Sequence, residues 1–300
     1  MSDVEIKRFD ANKLEELAKE QTRIYNYATE KLVDFTPAKV EDVIKRFKRE
    51  QFDKFRMFYA YKGDKMIGYA GLTGRDKEKN LRSVGYPWLD KDTDLSVRDS
   101  LYEEMEKQCQ TEGTKTMQAF SSDRYPDLFS FYKSKNFQID QEFLLYTKDL
   151  EKSNIEFPAG YSIRPMKKED IPKLVELSKK DPKMKEPIIA SDIEQAIDSN
   201  DYNPDNVVVA EKDGNIVGLL ALNIPADPKN ENCSFAGIAM DPKHQDIEIL
   251  LWKELENRAL KQNKKTIRVN FYPDSLRLPA AKERGFKLAS KNYRLTKVLS

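Results

Sequence analysis

Residues Cys233 to Leu260 read CSFAGIAMDPKHQDIEILLWKELENRAL, and this stretch decides how the rest of the chain is understood. Phe235 to Met240 is a short apolar run with the length and composition of a buried strand. Asp241 and Pro242 end it, because proline fixes its own φ and pushes its neighbour towards extended backbone. A helix follows, with Ile247, Leu250, Leu251, Leu255 and Leu260 near one face. A strand that feeds a helix N-terminus points free backbone N–H groups at whatever lies above the turn, an arrangement suited to phosphate. The stretch is therefore a candidate cofactor seat.

Working outward, the chain repeats itself. Tyr59 to Gly68 (YAYKGDKMIG) and Val209 to Gly218 (VAEKDGNIVG) superpose at an offset of 150 residues, as do Leu101 to Glu106 and Leu251 to Glu256. Phe137 pairs with Phe286, and Leu150 with Leu299, at an offset of 149. A near-constant offset this long indicates duplication of a whole domain. The expected domains are 1–150 and 161–300, joined by a polar linker, 151–160, that contains Pro158 and Gly160.

Each half reads strand, two helices, hairpin, strand, helix, strand, helix, two strands. In the first, Val4 to Phe9 is a strand, and Asp10 or Asn12 caps a helix bearing Leu14, Leu17, Tyr25, Ala28 and Leu32. Thr36 and Pro37 start a helix with Val40, Val43, Ile44 and Phe47. Gly63 and Asp64 turn a hairpin between Met57–Tyr61 and Met66–Leu72. Ser83 to Leu89 is a strand, Asp94 caps a helix through Leu101, Met105 and Cys109, and strands close the unit around Phe137 and from Phe143 to Thr147. In the second, Ser191 and Glu194 form a capping box. Mixed order of this kind predicts an α/β class with a central sheet covered by helices.

Composition narrows the function. The 300 residues carry 52 basic and 51 acidic side chains, a net charge of +1, so no long-range field draws nucleic acid or an anionic membrane. No apolar run approaches the roughly 18 residues of a membrane span, and Met1 to Asp10 does not read as a signal peptide, so a cytoplasmic protein is expected. Cys109 and Cys233 lack metal-ligand spacing and read as buried small apolar residues; no metal site is expected.

Asp241, Pro242, His244 and Gln245, between a strand and a helix, resemble the D-P-x-[HY]-[QR]-x-x-G-x-[GA] turn of the GCN5-related N-acetyltransferases, whose element order each half also follows. The resemblance implies two tandem acetyltransferase-like domains, acetyl-coenzyme A as donor and a small-molecule or peptide amine as acceptor. It places a donor seat at Ile238, Met240, Gln245, Asp246, Ile247, Glu248 and Asp274. Glu248 and Leu250 stand where the family has glycines, and in the first half Val97 and Asp99 do. A carboxylate repels a pyrophosphate and a branched side chain blocks it.

The family's tyrosine, which protonates the departing thiolate, falls on Tyr132 within FYKSKNF (Phe131 to Phe137); in the second half Ala281 holds that place. Tyr132 reads equally as a packed helix tyrosine. Asn136 replaces a glycine there and tolerates left-handed backbone. Asp94 reads as a cap and His244 as a turn residue; the resemblance implies that Thr36 to Phe58 borders the acceptor groove of the first half, while its charge pattern reads by itself as an ordinary amphipathic helix. One active half with a structural partner is the leading expectation. A non-catalytic binding module is the rival, and an aminoacyl-tRNA donor is disfavoured by the neutral charge.

Overall fold

The computed structural model describes residues 4–30, 37–49, 56–76, 78–198, 203–225 and 230–299. Its elements run β1 (Val4–Arg8), α1 (Leu14–Thr29), α2 (Val40–Lys48), β2 (Met57–Lys62), β3 (Lys65–Asp76), β4 (Leu81–Val84), β5 (Trp88–Leu89), α3 (Ser96–Thr111), β6 (Thr116–Ser122), α4 (Pro126–Ser134) and β7 (Gln138–Asp149). The order then recurs as β8 (Tyr161–Pro165), α5 (Ile171–Lys180), α6 (Ala190–Asp198), β9 (Val207–Lys212), β10 (Asn215–Asn223), β11 (Asn232–Met240), α7 (Glu248–Lys261), β12 (Thr266–Phe271), α8 (Leu278–Glu283) and β13 (Lys287–Val298). No described helix is long and apolar enough to cross a membrane.

Two compact units result, Met1–Glu142 with Asn292–Ser300, and Phe143–Lys291. The repeat boundaries expected at 150 and 161 differ from this division because the closing strands are exchanged. In the first unit the strand order β1-β2-β3-β4-β6 ends on β13, whose Asn292–Val298 runs antiparallel to Ser122–Thr116. In the second, β8-β9-β10-β11-β12 ends on β7, whose Leu144–Asp149 runs antiparallel to Phe271–Thr266. Leu295 is therefore part of the first core and Tyr146 of the second. The expected linker packs within the second unit: Leu150 donates its N–H to the Lys265 carbonyl, and Asn257 bonds both backbone groups of Ser153.

Period-two alternation explains how the sheets are covered. Along β2, Phe58 and Ala60 face a core with Leu101, Met105 and Phe137, while Met57, Tyr59 and Tyr61 face another with Leu17, Ile24 and Phe47. An uninterrupted apolar run is what a strand buried on both faces requires. In the second unit Val208 and Ala210 face α7's Leu251 and Leu255, and Val209 faces α5's Leu174. Both thiols are buried, which pushes Cys109 and Cys233 up to about 11.

Local departures from expectation have local causes. Helix α2 begins at Val40, not Pro37, because Asn26 of α1 accepts from the Ala38 N–H at 2.7 Å and donates to its carbonyl, holding that residue out of the helix. Leu32 and Thr36 lie outside the described residues. Helix α6 starts at Ala190, so Ser191 is inside its first turn rather than capping it. The two closing strands expected in the first half are one twelve-residue strand, β7.

Candidate functional site

The expected strand Ser83 to Leu89 is interrupted at Gly85–Pro87. Gly85 donates to the Gly71 carbonyl at 2.8 Å, and a Cβ there would stand 3.1 Å from that oxygen, so a side chain would have to push the carbonyl back by a few tenths of an ångström. Beyond the break the sheet opens. β4 and β6 pair in parallel only over Leu81–Ser83 and Thr116–Gln118. β11 and β12 likewise pair only over Asn232–Ser234 and Thr266–Arg268. Each unit thus has two central parallel strands that separate after three residues.

In the first unit two cavities flank this opening. One, of about 250 Å³, has apolar walls from Pro87, Leu89, Leu95 and Leu128, with Arg98 at the start of α3. The other, of about 540 Å³, lies between α1, α2 and the sheet. Tyr86 and Trp88 line both. Arg98 donates to the Tyr86 hydroxyl at 3.1 Å and lies 4.6 Å from the centroid of the Phe131 ring. The Tyr86 hydroxyl therefore accepts a hydrogen bond from a cation and keeps its own proton to give. The N-cap position of α3 is Leu95, and the exposed Asp94 before it accepts from the Ser96 N–H at 2.8 Å. Asp99, at the second glycine place, pairs with Lys135 at 2.7 Å.

Tyr132 lines neither cavity. It is 1 % exposed, packed against Phe131 and Phe137, and donates to the Val84 carbonyl at 3.3 Å. Burial pushes its phenol well above the usual range, with the Tyr86 phenol adding to the effect. Asn136, beyond α4, has φ +67°, the left-handed geometry expected for it.

The second unit treats its opening differently. A cavity of about 460 Å³ lies there, and of the expected seat residues Ile238 and Asp274 line it. Glu248 is the first residue of α7 and is nearly fully buried. Its carboxylate takes Arg277 Nε at 3.0 Å and Lys183 Nζ at 2.7 Å. Arg277 also holds Asp181 at 2.5 Å, and Asp181 accepts from the Met240 N–H at 2.7 Å. Two carboxylates and two cations neutralise one another, and the Glu248 charge sits where the helix dipole favours an anion. The remaining seat residues scatter: Ile247 is in the core, Asp246 is exposed, and both amide atoms of Gln245 are buried without a partner among the described residues. His244 Nδ1 and the Tyr161 hydroxyl are 2.7 Å apart, which fixes the turn.

Sequence reasoning missed Tyr86, Trp88 and Arg98 as a group and missed the Asp181–Arg277–Glu248 cluster. Asp181 and Arg277 are 96 residues apart, and nothing in their local sequence couples them. The aromatic pair flanking Pro87 carried a readable signal, since that proline sits inside an otherwise apolar strand.

No family model matches the chain, and no curated protein matches it significantly. Solved structures do. A GCN5-related N-acetyltransferase from Sphaerobacter thermophilus aligns over 98% of this chain and 95% of its own at 13% identity, with a TM-score of 0.75. A tandem GNAT protein from the clavulanic acid biosynthesis pathway aligns over 99% and 98% at 14% identity, with a TM-score of 0.73. Saccharomyces cerevisiae N-myristoyltransferase with bound myristoyl-CoA covers 99% of this chain and 79% of its own at 12% identity, with a TM-score of 0.59. Repeated element order, paired splayed strands and these alignments together establish that the chain has the GCN5-related N-acetyltransferase fold in tandem.

Proposed function

We propose that the protein is an acyl-coenzyme A-dependent N-acyltransferase whose first unit is active and whose second unit is structural. The observation that carries this reading is the pair of cavities in the first unit that share Tyr86 and Trp88. One cavity suits the donor and the other an amine acceptor. An acyl-coenzyme A supplies a thioester whose carbonyl carbon an amine can attack, with release of a thiolate.

The chain's own residues would then act as follows. Pro87, Leu89 and Leu128 exclude water around a short acyl group. Arg98 supplies positive charge near the start of α3, where an anionic donor gains from the helix dipole. Tyr86 gives its hydroxyl proton to the leaving sulfur, and the proton lost by the attacking nitrogen returns to Tyr86 through water. Tyr132 supports this arrangement by holding the end of β4 at the Val84 carbonyl. In the second unit Glu248 and Asp181 fill the place of a donor phosphate with the protein's own charge, so that unit does not fit the donor.

Calorimetric titration with acetyl-coenzyme A tests the assignment. Saturable binding, about 8 kcal/mol at micromolar affinity, is expected for the wild type, weakened in Arg98→Ala and unchanged in Lys183→Ala. The reverse pattern moves the donor to the second unit. Absence of binding in all three moves the protein to a non-catalytic module, a reading favoured by Asp94, which already caps the α3 amide a phosphate would use. Tyr86→Phe is expected to slow transfer by about 10²-fold or more at unchanged donor affinity.

A further inference from the structure

The larger cavity of the first unit has a polarity of its own. Asp42 and Arg46 line it from α2, a carboxylate in the first turn and a guanidinium in the last, and Arg49, in extended backbone just past the helix, adds a second guanidinium at that end. A wall with separated negative and positive ends matches a ligand with separated positive and negative groups. Opposite, α1 contributes Gln21, which is 3 % exposed and whose Oε1 has no hydrogen-bond partner among the described residues. A buried carbonyl oxygen without a donor costs free energy unless a ligand N–H supplies one. Aromatic rings complete the enclosure: Trp88 meets Tyr25 edge-on at 5.5 Å and Tyr86 at 4.9 Å. Such rings accept both an aryl group and an ammonium.

We propose that this cavity binds a free amino acid with a bulky apolar or aromatic side chain, its amine directed to Gln21 and Asp42 and its carboxylate to Arg46 and Arg49. The inference deepens the acyltransferase reading by naming its acceptor class, and it rests on that reading for the statement that the amine is acylated. The volume, about 540 Å³, exceeds the needs of the smallest amino acids and lies within the range of small-molecule sites. Tyr86 and Trp88 line both cavities, so a ligand held here adjoins the donor cavity.

The test is calorimetry on the full chain without any donor, using phenylalanine, phenethylamine and 3-phenylpropionate as matched probes. Phenylalanine is expected to bind at least about tenfold more tightly than either analogue, since each analogue leaves one charged partner unmatched. Arg49→Ala, at an exposed helix end, is expected to abolish the preference over phenethylamine. Gln21→Leu is expected to weaken phenylalanine binding while leaving thermal stability unchanged or raised, an outcome that a purely structural glutamine does not produce. Equal binding of the three probes, or binding of none, overturns the proposal. Titration of the same sample with acetyl-coenzyme A separates the two claims. Donor binding without phenylalanine binding leaves the acyltransferase reading standing and removes the acceptor class; phenylalanine binding without donor binding does the opposite.

Discussion

In each unit an acid sits near the start of the helix after the splayed strand, Asp94 two residues before α3 and Glu248 as the first residue of α7, and the two acids do different things. Asp94 is exposed and caps one N–H of α3, whereas Glu248 is buried and tied to Arg277 and Lys183. A solvated cap costs little and leaves the neighbouring cavity open. A buried carboxylate must be neutralised by partners that fill the space around it. An acid near such a helix start therefore does not by itself decide whether the turn can hold a ligand; its burial and its distant partners decide it. Breaking those partners has the largest expected effect. Arg277→Ala leaves Asp181 and Glu248 in an apolar setting with Lys183 as the remaining cation, and is expected to destabilise the second unit by about 3–5 kcal/mol. Hydrogen exchange along α7 at increasing urea measures it. A loss below about 1 kcal/mol would show that the cluster is solvated and not a plug.

The exchanged strands sharpen the comparison further, because each unit's core depends on residues from the other half of the sequence. Leu295 belongs to the second repeat and is fully buried in the first unit's core. Leu295→Ala is expected to cost about 3 kcal/mol through lost burial and a residual cavity. Hydrogen exchange should rise along Thr116–Ser122, which pairs with its strand, and remain unchanged along Thr266–Phe271. Exchange rising in β12 instead would assign the strand to the second unit.

A smaller effect is carried by pH in the first unit. Burial pushes the Asp90 carboxyl up, but hydrogen bonds from Arg23 and Lys65 outweigh it and hold the group at about 2. A folded value below the unfolded one, about 4, contributes stability that is complete above pH 4 and is lost as pH falls from 4 to 2. The first unit is therefore expected to lose about 2 kcal/mol across that window. Asp90→Asn should flatten the loss, as read by acid titration of unfolding. A variant that keeps the wild-type acid profile would place the sensitivity elsewhere.

Most of the fold was legible in the sequence because its signals are local. Apolar periodicity gave the element order, and Asn136 was readable as a left-handed position from its side chain alone. Repeat spacing revealed two units. It could not reveal the exchange of β7 and β13, since equivalent strands carry equivalent patterns and either would satisfy either sheet. The site was less legible. Glu248 was recognisable as foreign to a phosphate turn, but its partners Asp181 and Arg277 meet it only in three dimensions. The start of α2 was misread for a similar reason: Asn26, on another helix, clamps Ala38.

Tyr132 reads in the sequence equally as a proton donor and as a packed helix tyrosine, and its substitution has the smallest expected effect. The motif around it implies a proton donor, while its burial and its bond to the Val84 carbonyl make it a strut beneath Tyr86, whose ring lies 6.3 Å away. Tyr132→Phe keeps the ring and its packing and removes one hydrogen bond. It is expected to cost about 1 kcal/mol of stability. Under the proposed mechanism it changes acyl transfer by less than about threefold, far short of what loss of a general acid produces. Thermal unfolding and steady-state rates on the same preparation read both quantities. A fall in rate of about 10²-fold with stability intact would return the proton to Tyr132 and require α4 to shift so that its hydroxyl leaves Val84. A fall of that size in Tyr86→Phe alone keeps the proton at the wall between the two cavities, where Arg98 already holds the hydroxyl in place.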